Sequence, residues 1–157
     1  MTSRVVFDCM VFLQGAACAE GPAAACLRLA ETGHVELYLS AEVLNEVRDV
    51  LTRPKVRRKF PALTDETVTA FLTRVSRFAR MIAEVPRVVS LPRDTKDEKY
   101  LDLALAAEAT YLVSRDNDLL DLMDEHKPEG RAFREDFPQI SILDPVSFLR
   151  TLQPRAS

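Results

Sequence analysis

An α/β domain built on a central, mostly parallel sheet is the fold class this sequence predicts, on three observations. Short apolar runs alternate along the chain with longer stretches of helical period. Strands separated by helices imply right-handed crossovers and a sheet covered on both faces. The 157 residues suit one domain, 1–157, with a substantial core.

Taken in order, Arg4–Phe7 (RVVF) is a short β-branched strand that stops at Asp8. Between Gly21 and Gly33, the residues Ala24, Cys26, Leu27, Leu29 and Ala30 mark a helix that Gly33 ends. Val35–Leu39 (VELYL) is the next strand, and Ser40 is a good N-cap for the helix carrying Val43, Leu44, Val47, Val50 and Leu51. Pro54 ends or kinks that helix, and the basic segment KVRRKF follows. A long helical pattern runs from Thr64 to Ile82, then a weaker strand over Val85–Leu91, interrupted by Pro86. Leu101, Ala104, Leu105 and Ala109 share one face of a helix over Asp97–Ala109. Thr110–Ser114 (TYLVS) is a strongly apolar strand leading into Asp116, with a short helix expected over Asp118–Asp124. Ile140–Leu143 is the last strand, and Asp144-Pro145 starts a C-terminal helix.

Composition excludes several classes. Apolar residues at 47% and charged residues at 29% exclude wholesale disorder, and a net charge of −3 gives no global attraction to nucleic acid or anionic lipid. Apolar runs are broken by charge before they reach membrane-spanning length, so no membrane partner is expected. Asp8 falls within what would be the apolar region of a signal peptide, so no secretion signal is read. Cys9, Cys18 and Cys26 are odd in number and lack metal-ligand spacing; they read as reduced thiols of a cytoplasmic protein. His34 and His126 stand alone, so zinc is not expected.

Sites in parallel sheets form beyond the carboxyl ends of the strands. Asp8 and Asp116 each follow a strand, Glu46 lies on the helix after the second strand, and Asp97 opens the helix before the strand leading to Asp116. Two carboxylates 4 Å apart repel by roughly 4 kcal/mol at an effective dielectric near 20, so four together need a cation or shared protons. Oxygen ligands without Cys or His point to Mg²⁺ or Mn²⁺. Each acid also has a plainer reading. Asp97 and Asp116 could be helix N-caps and Glu46 a solvated helix residue, whereas Asp8 follows its strand with no helix-start pattern behind it.

Arg53, Lys55, Arg57, Arg58 and Lys59 form the densest basic run, with Arg93, Lys96 and Arg115 close in sequence to the acids. The run is equally readable as a solvated helix end; Arg115 is the better phosphate contact. A HAD-type phosphatase would need a second Asp at the position of Met10, and a receiver-like phosphoacceptor a late-strand lysine where Leu143-Asp144-Pro145 stands.

In VVFDCMVFLQGA, ELYLSAEVLNEVRDVLTRPKV, RDTKDEKYLDLALAAEATYLVSRDNDLL and ISILDPVSFL, in this order and spacing, the chain resembles the PIN-domain family, in particular its toxin-like bacterial branch related to VapC ribonucleases. The resemblance implies a three-layer α/β/α PIN-like domain. It places the family's acidic quartet on Asp8, Glu46, Asp97 and Asp116, with Glu98 and Asp118 as secondary metal ligands. Ser114 matches the hydroxyl residue that precedes the last Asp by two and, with Arg115, Arg53, Lys55, Arg57 and Arg58, is assigned to substrate. The implied function is a Mg²⁺- or Mn²⁺-dependent endoribonuclease acting on RNA, the toxin of a toxin–antitoxin pair. An antitoxin protein would be its partner, and a homodimer is expected; the helix from Thr64 to Ile82 reads equally as an ordinary buried helix, a homodimer seam or a groove for an antitoxin peptide. Cys9 and Met10 stand where the family has Thr or Ser and then Asn. The alternative is therefore a catalytically weak or inactive PIN domain serving as a nucleic-acid-binding or regulatory module.

Overall fold

A computed structural model describes residues 2–91 and 95–152. Among these residues the sheet has five parallel strands: β1 (Ser3–Phe7), β2 (Val35–Leu39), β3 (Arg80–Met81), β4 (Tyr111–Val113) and β5 (Ser141–Leu143). Their spatial order is β3-β2-β1-β4-β5. The chain builds outward from β1 through β2 to β3, then returns to lay β4 on the other side of β1. That reversal makes the crevice between the carboxyl ends of β1 and β4 the topological switch point of the sheet.

Helices flank the sheet: α1 (Cys9–Ala17), α2 (Pro22–Glu31), α3 (Ala41–Thr52), α4 (Pro54–Lys59), α5 (Asp65–Phe78), α6 (Glu98–Ala106), α7 (Asn117–Leu120), α8 (Pro128–Asp136) and α9 (Pro145–Leu152). Val5, Val6, Phe7, Leu37, Leu39, Leu112 and Val113 are almost wholly buried, the environment that continuous apolar strands require. Gly33 ends α2 as expected: it takes φ +82°, open to glycine at no steric cost, and His34 N–H bonds back to the Leu29 carbonyl at 2.9 Å. Ser40 caps α3 by accepting from Val43 N–H at 3.1 Å. Thr64 and Thr67 cap α5 reciprocally.

Five elements differ from the sequence expectation. Asp8 is an N-cap, because α1 begins directly behind it; the stretch CMVFLQGAA is so apolar that it shows no helical period. The long helix stops at Phe78, and the edge strand is Arg80–Met81 rather than Val85–Leu91. The latter segment has no regular structure; Pro86 lacks an amide donor, and Asp102 instead ties it down by accepting from Val88 and Val89 N–H at 2.9 and 2.8 Å. KVRRKF belongs largely to α4, with Pro54 in its first turn. The helix expected over Asp118–Asp124 is α7 followed by a 3₁₀ turn, Asp121–Met123. Within the chain α5 buries Val68, Leu72 and Val75, and its Arg74 pairs with Glu31 of α2 at 2.7 Å. Among the described residues, no single helix is long and apolar enough to cross a membrane.

Candidate active site at the carboxyl edge of the sheet

Asp8 sits where β1 leaves the sheet, its N–H bonded to the Val113 carbonyl of β4 at 3.0 Å. Its side chain is 2% exposed and receives three hydrogen bonds. Oδ1 accepts from Val11 N–H at 3.0 Å; Oδ2 accepts from the Ser114 hydroxyl at 2.5 Å and from Arg115 N–H at 3.1 Å. Among the described residues, all three donors are neutral. Burial, aided by the charge of Asp116, pushes the Asp8 carboxyl above the usual carboxylate range despite those bonds.

Ser114 is wholly buried, and its hydroxyl is spent between two acids: it donates to Asp8 and accepts from Asp116 N–H at 2.9 Å. It is placed to hold the two acids in register rather than facing solvent. Asp116 in turn caps α7, Oδ1 accepting from Asp118 N–H at 2.7 Å. The two acids are thus joined through one side chain across the switch point. Replacing Ser114 by Ala strands the Asp116 amide and removes one of Asp8's donors; urea denaturation is expected to show a loss of about 1–3 kcal/mol.

Glu46 belongs to a second group. Tyr100, 1% exposed, donates its hydroxyl to Glu46 Oε1 and accepts from Cys9 N–H at 3.1 Å. Lys99 Nζ lies 2.5 Å from Glu46 Oε2. Burial alone would raise the Glu46 carboxyl, but Lys99 and Tyr100 outweigh it and hold it below the ordinary range. Burial first, then the charges of Glu46 and Asp8, pushes the Cys9 thiol up to about 12, leaving it a protonated, poor ligand. Cys9 follows Asp8 in the chain, so its amide bond to Tyr100 links the two groups. Met10 is 38% exposed.

Asp97 is 7% exposed at the end of a 3₁₀ turn, Thr95–Asp97, and makes no side-chain cap to α6. Its Oδ2 is buried without a hydrogen bond, while the residue has other contacts. Glu98 Oε1 accepts from Leu91 N–H at 2.8 Å, and Asp118 is half-buried. As the side chains stand, no three His, Cys, Asp or Glu among the described residues could hold one metal ion together.

The cations divide. Arg53 pairs with Asp49 and Arg57 with Asp65, each at 2.7 Å, and Lys55 and Arg58 are exposed. The run follows the C-terminus of α3, whose twelve residues span about 18 Å from its start after β2. Arg115 is exposed beside Asp8 and lines an open cavity of about 480 Å³ with Arg150, Asp144 and Ser147. Arg93 lies outside the described residues.

Sequence reasoning missed Lys99 and Tyr100, whose partner Glu46 is more than fifty positions away. The only signal was their place immediately after Asp97 and Glu98. Comparison with known proteins matches residues 4–118 to a family model described as PIN domain. No curated protein matches the chain.

Proposed function

The chain belongs to the PIN-domain family, whose members are generally nucleases that use divalent metals, and from that premise we propose that it is an endoribonuclease dependent on Mg²⁺ or Mn²⁺. The observation that carries this reading is the Asp8–Ser114–Asp116 linkage at the switch point between β1 and β4. A buried carboxylate whose donors are all neutral favours a cation close by, and an oxygen-only donor set suits a hard one.

Asp8 and Asp116 would hold the ion, with Glu46 and Asp97 completing the set and Glu98 and Asp118 as secondary donors. Such an ion supplies the Lewis-acid chemistry that phosphodiester hydrolysis needs. Ser114 keeps the two aspartates in place. Arg115, exposed beside Asp8, is set to take a phosphate oxygen of single-stranded RNA. The role as toxin in a toxin–antitoxin pair, the antitoxin partner and the homodimer rest on resemblance to the toxin-like branch.

One observation favours the second reading, a weak or inactive nucleic-acid-binding module: Glu46 is already occupied by Lys99 and Tyr100, beside a Cys9 that ligates poorly. A cleavage assay decides between them. Purified protein is expected to cut single-stranded RNA in Mn²⁺ or Mg²⁺ and to stop when EDTA is added. Binding of the same RNA with no cleavage in either metal would establish the module instead.

A further inference from the structure

Both oxygens of Glu46 are in use: Oε1 by the Tyr100 hydroxyl and Oε2 by the Lys99 ammonium at 2.5 Å. The Lys99 side chain is only 13% exposed and is held from two more directions. It donates to the Lys96 carbonyl at 2.5 Å and stands 5.3 Å from the centre of the Tyr100 ring. A surface lysine samples many rotamers; this one is fixed by a carboxylate, a carbonyl and an aromatic face.

We propose that Lys99 is a built-in competitor for the metal: its ammonium occupies Glu46 while the site is empty of cation and sets how tightly a divalent ion is held. The inference rests on reading Glu46 as a metal ligand. An ammonium is a compact point charge that a carboxylate accepts in place of a metal ion, and two cations cannot share one carboxylate oxygen without strong repulsion. Loading therefore requires Lys99 to leave Glu46. It has somewhere to go, because Lys99 already lines an open cavity of about 460 Å³ with Ser40, Arg87, Glu42 and Glu98. Of these, Glu42 offers an alternative carboxylate within that cavity. Lys99 is thus a positioning residue, acting on the ion through Glu46.

The test is Mn²⁺ binding by calorimetry on the purified full chain, with no RNA and no turnover. Lys99→Met keeps the length of the side chain and removes the charge; it is expected to bind Mn²⁺ about tenfold more tightly than wild type, the scale of one lost charged hydrogen bond. Lys99→Arg retains the competitor and should bind no more tightly than wild type. A purely structural lysine would lower metal-free stability in Lys99→Met without tightening Mn²⁺, and that result overturns the proposal. Asp8→Ala separates the two levels of inference. If Asp8→Ala loses Mn²⁺ while Lys99→Met binds as wild type does, the Lys99 proposal alone fails. If Asp8→Ala binds Mn²⁺ as tightly as wild type, the metal-site reading fails and the Lys99 proposal with it.

Discussion

Asp8→Ala is expected to lower metal-dependent RNA cleavage by about a thousandfold, the upper range for removing one preorganised electrostatic group. Asp8 is central to its half of the site: it caps α1 through Val11, receives Ser114, and receives the amide of Arg115. Its effect on folding is smaller, because two contributions oppose. Losing the cap and the partner of the buried Ser114 hydroxyl costs about 1–3 kcal/mol, while removing a carboxylate that burial disfavours returns part of that. Rate and stability should therefore separate. Single-turnover cleavage and a urea melt on the same preparation check this, and a variant that loses stability but keeps its rate would remove Asp8 from the mechanism.

Phe148→Ala is expected to cost about 3–5 kcal/mol, the range for truncating a buried aromatic ring. Phe148 of α9 is wholly buried, with edge-on contacts to Phe7 of β1 at 6.1 Å and Tyr111 of β4 at 5.6 Å. Those are the two strands whose ends carry Asp8 and Asp116, so this ring braces both of them. Phe148→Leu fills more of the space and should recover about half of the loss. The readout is the midpoint of urea unfolding; a shift worth less than about 1 kcal/mol for the alanine variant would mean that α9 contributes little to holding the two strands.

What could be read from sequence followed the strength of the local pattern. TYLVSRD announced a buried strand ending in acids, and the structure has β4 there with Ser114 and Asp116 beyond it. RVVFD did the same for β1 and Asp8. The helix after Asp8 was hidden because an almost wholly apolar segment has no polar face to set a period. The edge strand was misplaced for the opposite reason. Two exposed residues, Arg80 and Met81, pair with β2 but carry no strand signal, while the apolar letters of Val85–Leu91 sit in a stretch that Pro86 keeps out of the sheet. At the carboxyl edge, the strand-end positions of Asp8 and Asp116 were legible, but which side chains occupy which was not. Lys99 on Glu46 and Arg57 on Asp65 are pairings made by tertiary folding across elements, and no spacing rule reaches across such separations.

Anomalous diffraction from a crystal soaked in Mn²⁺ tests the central claim most directly, because it locates the cation without reference to turnover. The account predicts a peak at the carboxyl edge between β1 and β4, about 2 Å from carboxylate oxygens of Asp8 and Asp116, with the Lys99 ammonium withdrawn from Glu46. A peak elsewhere, or none while Lys99 remains on Glu46 in saturating Mn²⁺, would contradict it.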